Sequence, residues 1–353
     1  MMAGASSYGV ANVKVRVSKA QLLTSATYAK LILCHDTRSI VLQLQESIYS
    51  KYLVGIDPQT VTPRKLIWKI RQRVPEKFEI IRDNLPQRSQ YFIDLIFSWY
   101  ELINLKTVLR GINFSGDWNT IKHLLVPMGK FKTLPFELMV ASGSIDNAIL
   151  MIKDSKYYTT LMTARHRFLL EETLFPIEVL LDLEYWQKVW DEIENLPDID
   201  QKAVRPIITR IIERNDLIWT ARYRFFYHLT ESEIINYTLG IGTKVNDSII
   251  RQVAQGKRLA EVIGEIYPNL TGKVSSAQGE GQQLSLWEIE LTREIARVCS
   301  STFSAQPFSL APALAYILIL EYEIQDLVLL IEAKASGVTS ENYQPYLINQ
   351  GYN

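Results

Sequence analysis

The chain has 353 residues, 47% apolar and 22% charged, with 38 basic and 38 acidic side chains. Zero formal net charge argues against a broad nucleic-acid binder, which needs a positive face to neutralise phosphates. Two cysteines, Cys34 and Cys299, give no disulfide framework and read as buried reduced thiols.

In chain order, Met1–Ser7 lacks the charged start and apolar centre of a signal peptide and is expected to be a disordered tail. Tyr8–Lys19 alternates Val13, Val15 and Val17 with basic residues, but its neighbours through Leu23 favour a helix. Further helices are expected over 20–34, 37–52 and 63–74. A long helix then runs from about Gln87 to Arg110, with apolar residues at Phe92, Leu95, Ile96, Trp99, Leu102 and Ile103 in steps of three and four. Arg110 suits the negative end of that helix, and Gly111 is expected in a left-handed terminal position. A short helix follows around Trp118–Leu125.

Helices are next expected over 144–156, 160–173 and 177–193, with Asp200 capping a second long helix that reaches about Tyr227. In the last third, the periodicity predicts helices over 245–255, 258–266, 284–299 and 311–334. The polar, glycine-rich stretch Thr271–Gln283 reads as an exposed loop. The apolar run Leu310–Leu320 has 11 residues, whereas a membrane span needs about 20, so no bilayer crossing is expected. Hairpin signals and sustained alternation are missing, and the fold class is all-α.

The three long helices echo one another. Each carries an acid inside an apolar pattern, read as Glu101, Asp216 and Glu323. A helix-like segment ending in tyrosine precedes each, and Tyr49, Tyr158 and Tyr267 stand 109 residues apart. Gly129, Gly242 and Gly351 follow at similar distances. Three landmarks recurring in one order indicate three divergent copies of a helical unit, over 8–130, 131–243 and 244–353. Glu101 with Asn104, and Glu323 with Asp326, lie three apart on one helix side, where a polar pair can receive groups from a neighbouring helix. Three equivalent sites in one chain look architectural.

Signals for chemistry are weak. His35, His123, His166 and His228 lack ligand spacing, and there is no nucleophile elbow. Gly240-Ile-Gly242-Thr-Lys244 only faintly resembles a phosphate loop, without its full spacing or a preceding strand. Carboxylate pairs such as Asp182/Glu184 and Glu171/Glu172 read as solvated helix faces.

Three segments carry a family resemblance: Tyr8-Gly-Val-Ala11-Asn-Val-Lys-Val-Arg16, Glu101-Leu-Ile-Asn104-Leu-Lys-Thr-Val-Leu109-Arg110-Gly111, and Ala313-Leu-Ala-Tyr316 with Glu321-Tyr-Glu323 through Lys334. Over nearly its whole length the chain resembles the C subunit of the A/V-type rotary ATPases, called the d subunit in the eukaryotic vacuolar enzymes. Departures are Asn12 in place of arginine, and Trp219 and Asp326 at the position read as the motif asparagine.

The resemblance implies three helical bundles arranged as a pseudo-threefold funnel, acting as a non-catalytic part of the central rotor. It would cap the membrane proteolipid ring, receive the shaft formed by subunits D and F, and transmit torque in ATP-driven ion transport or ATP synthesis. It implies a peripheral place at the cytoplasmic face and no catalytic residue, cofactor or metal. Glu101, Asn104, Arg110, Asp216, Arg222, Glu323 and Asp326 form the structural signature. The competing readings are a free all-α scaffold for peptide or protein partners, and an all-α enzyme with clustered acids in a pocket.

Overall fold

A computed structural model describes residues 2–274 and 279–349. Among them every regular element is helical, and the one β-bridge, Ile241 with Asn246, stands isolated. Helix α1 (Met2–Lys19) begins at Met2, so the backbone of the expected tail is already helical.

There follow α2 (Ser25–Leu33), α3 (Thr37–Gln45), α4 (Pro63–Arg71), α5 (Arg73–Arg82), α6 (Gln87–Asn113) and the short α7 (Trp118–Ile121). Thr24, Asp36, Thr62 and Asp117 cap α2, α3, α4 and α7 with side-chain oxygens. The helix expected over 63–74 is broken at Gln72, because Pro75 has no N–H for the Arg71 carbonyl.

Next come α8 (Phe136–Ala141), α9 (Ile145–Met151), α10 (Tyr158–Glu171), α11 (Phe175–Glu192), α12 (Asp198–Phe225) and α13 (Glu231–Asn236). The last third of the chain holds α14 (Asp247–Gln255), α15 (Leu259–Ile266), α16 (Glu280–Ala305), α17 (Ala311–Ala335) and α18 (Ser340–Tyr343). Helix α16 starts inside the stretch expected as a loop, and part of that stretch, 275–278, lies outside the described residues.

Three long helices of 27, 28 and 25 residues are each followed by a short helix, α7, α13 and α18. A proline opens each long helix, Pro86 and Pro197 at the cap and Pro312 in the first turn, where its missing N–H costs no intrahelical bond. Helix α17 is buried nearly all round, packed by α1, α4, α5 and α16. Between α5 and α6, Phe78 stacks on Phe97 with ring centres 3.9 Å apart.

The apolar core does not divide into three. One cluster runs from α1 through the N-terminal half of α12 and takes in helix α17. A second gathers the C-terminal half of α12 with α13, α14, α15 and the start of α16. Each long helix thus serves more than one group of neighbours.

Two local expectations are corrected. Gly111 lies inside α6 with no positive φ; a Cβ there would collide with Ile121, so the glycine permits close approach of α7. The left-handed residue beyond α6 is Ser115. Asp200 is not the cap of α12, whose cap position is Pro197. It sits buried in the first turn of α12, accepting from the Tyr8 hydroxyl and, at 2.8 Å, from the Leu310 amide. It ties α1 and the start of α17 to α12, a role that sequence spacing could not reveal.

Candidate functional site

Each long helix buries a carboxylate and, one turn later, an Asn or Asp on the same side. In α6, Glu101 accepts the Thr133 amide at 2.8 Å, the Thr133 hydroxyl at 2.6 Å and the Tyr157 hydroxyl at 3.2 Å. In α12, Glu213 accepts the Lys244 amide at 2.7 Å and the Tyr267 hydroxyl at 2.7 Å. In α17, Glu323 accepts the Leu23 amide at 2.5 Å and the Tyr49 hydroxyl at 2.6 Å. Each acid therefore holds an amide and a tyrosine from outside its own helix: those on Glu101 and Glu213 lie further along the chain, and those on Glu323 near its start.

The residue one turn on fixes the loop that leaves its own helix. Asn104 donates to the Val126 carbonyl at 2.9 Å and accepts the Val126 amide at 2.7 Å. Asp216 accepts the Leu239 and Gly240 amides at 2.9 and 3.0 Å. Asp326 accepts the Ile348 and Asn349 amides at 2.6 and 2.9 Å.

This geometry corrects the repeat register. Glu213, not Asp216, matches Glu101 and Glu323, whereas Asp216 matches Asn104 and Asp326. Trp219 is not the counterpart of Asn104. Likewise the tyrosine that reaches Glu101 is Tyr157, and Tyr158 packs beside the core instead. Gly242 belongs to the loop over Glu213, where a Cβ would strike the Glu213 side chain. Gly351 lies outside the described residues.

A cation accompanies each node, and none was singled out from sequence. Arg73, fully buried, donates to Glu323 at 2.5 Å and lies 4.9 Å from the Tyr49 ring centre. Arg210 donates to Glu213 at 2.6 Å and lies 5.2 Å from the Tyr267 ring centre. Lys156 stands 5.0 Å from the Tyr157 ring centre, its ammonium pKa lowered by burial against the opposing pull of Glu101. A cation over the ring face and an anion at the hydroxyl favour one another across each tyrosine.

Burial disfavours charge in these nodes. It pushes Asp216 up to about 7 and Asp326 up to about 6, although backbone amides at both oppose the shift. It also raises Glu323 against the pull of Arg73. Tyr49, Tyr157 and Tyr267 are raised by burial and then by their acids, so they remain neutral donors.

The glycine loop at 240–244 does present amides, but the protein's own acids accept them: Gly240 donates to Asp216 and Lys244 to Glu213. His35, His123, His166 and His228 are all exposed. Asp182 pairs with Lys106 at 2.6 Å rather than with Glu184. Among the described residues no group of three His, Cys, Asp or Glu could hold a metal ion. No helix there is long and apolar enough to cross a membrane.

The family model described as ATP synthase (C/AC39) subunit matches residues 11–346. The chain belongs to that family. Its relatives include the A-type ATP synthase C subunit of Methanosarcina barkeri, 23% identical with 98% of this chain and 94% of that protein covered. The corresponding A-type ATP synthase protein of Methanocaldococcus jannaschii is 16% identical, covering 97% and 86%. The V-type proton ATPase d subunit of Saccharomyces cerevisiae is 23% identical over 62% of this chain and 53% of its own length.

In this C/AC39 subunit the two signature arginines also join helices that are distant in sequence. Arg110 at the end of α6 grips Glu178 of α11 through two bonds of 2.6 Å, and Arg222 of α12 reaches Glu288 of α16 at 3.2 Å. All four side chains are partly exposed, so water and salt screen both pairs. The third unit has Glu332 in that region and Lys334 donating to the Ile32 carbonyl at 2.8 Å.

Proposed function

We propose that this chain is the socket of a rotary ATPase rotor: a funnel of three helical units, 8–130, 131–243 and 244–353, around a pseudo-threefold axis. One mouth receives the shaft subunits D and F. The other seats on the proteolipid ring at the cytoplasmic face, and torque passes between them in ion transport or ATP synthesis. The chain itself carries no reaction centre.

The observation that carries this reading is the directional set of acid–tyrosine bonds, first unit to second, second to third and third back to first. An open helical array binding peptides contacts only its neighbours in sequence. It has no cause to bring Tyr49 to Glu323. A closed body suits a coupling element, because close-packed interiors with low compressibility transmit strain. Family membership supports a place in a rotary complex.

The test is affinity capture of the tagged full chain from gently solubilised membranes. Recovery of both shaft and ring subunits supports the socket. Recovery of neither contradicts it.

A further inference from the structure

Features that recur in all three units serve the architecture, so a feature confined to one unit points elsewhere. The helices leading into α12 and α17 are acidic on balance: α11 carries five acids and one base, α16 four acids and two bases. In the first unit α5 leads into α6 with three bases and two acids, and α4 before it carries four bases and no acid.

The apolar side of α4, with Leu66, Ile67 and Ile70, is buried. Its outer side presents Arg64 and Lys65, then Trp68 and Lys69 one turn on, with Trp68 37% exposed. These residues line a cavity of about 520 Å³ that Lys122 and His123 complete from the end of α7. Among the described residues Arg64, Lys65 and Lys69 have no carboxylate partner. Lys122 donates to Asn119 at 2.8 Å and feels the charge of Asp117, whose own oxygens hold Thr120.

We propose that this face is a binding site for anionic phospholipid headgroups. Four cations around a concavity match phosphate and carboxylate groups, and clustered Lys and Arg on an amphipathic helix bind acidic bilayers. An exposed tryptophan among them is the side chain that settles at the headgroup level, with its ring apolar and its N–H wet. The helix anchors its other face in the protein core, so it would touch the bilayer surface without entering hydrocarbon. The proposal goes beyond the rotor reading, and vesicle binding by the isolated chain can fail or succeed whatever the shaft does.

The test is cosedimentation of the full chain with vesicles of phosphatidylcholine, alone or mixed with phosphatidylserine. Binding is expected only to the mixed vesicles and should fall as salt rises. Lys65→Gln/Lys69→Gln should weaken partitioning roughly 25-fold, from about fivefold per cation. Lys188→Gln/Lys202→Gln, which removes two exposed charges elsewhere, should leave it unchanged. The emission shift on binding should shrink in Trp68→Phe. Equal binding to both vesicle types, no binding, or an equal loss in the control pair overturns the proposal. Capture of an acidic protein through this face without vesicle binding would overturn it too, assigning the face to a protein partner.

Discussion

The Tyr49 hydroxyl donates to Glu323 across 2.6 Å although 274 residues separate them. Arg73 completes the node, so two residues from the first quarter of the chain hold the buried acid of α17. In the other two nodes the acid, tyrosine and cation lie within 60 residues of one another.

Removing one member of that buried pair should therefore be costly. Glu323→Ala leaves the Arg73 guanidinium enclosed without a counter-charge, a loss of about 3–5 kcal/mol. Tyr49→Phe keeps the ion pair and should lose about 1.5–3 kcal/mol. Both are read from denaturant midpoints and slopes. In a double-mutant cycle, Arg73→Met/Glu323→Leu should lose less than the two single changes summed, since no uncompensated charge remains.

Stability should fall as pH rises from about 4 to 7. Asp216 and Asp326 start from an ordinary value of 3.8 and are pushed up to about 7 and about 6 by burial. Across that window the folded chain holds protons the unfolded chain has released, so unfolding gains with pH, by up to about 1.4 kcal/mol per pH unit per group. Asp216→Asn, copying Asn104 of the first unit, should flatten the profile. Equilibrium unfolding across that pH range, with and without the substitution, measures both effects.

Gly111→Ala should cost about 1–3 kcal/mol by overpacking, because its methyl meets Ile121. Shortening the obstacle in Gly111→Ala/Ile121→Ala should recover part of that methyl clash, while losing the Ile121 packing. Thermal melts of the two single variants and the pair show a favourable coupling if the contact is the cause.

Helix positions were legible in the sequence because apolar spacing and the prolines at 86, 197 and 312 act locally. The acids were legible as anomalies in those apolar patterns, and so is their register: Glu213 precedes Asp216 by three residues as Glu101 precedes Asn104 and Glu323 precedes Asp326, which alignment on Asp216 alone overlooks. Adjacent Tyr157 and Tyr158 are harder, and the side-chain contact decides between them. The loop amides at Leu23, Thr133 and Lys244 carry no residue-type signal at all. Arg210 was readable as the i,i+3 partner of Glu213. Arg73 was not, since its acid lies 250 residues away.

The central claim is that the chain couples without catalysing. The direct measurement is ATP hydrolysis and ATP-driven ion uptake in reconstituted membranes, with the rotary complex assembled with and without this subunit. The account predicts that omission abolishes uptake while the catalytic sector still hydrolyses ATP, and that adding the chain back restores uptake. Undiminished uptake in its absence would contradict it.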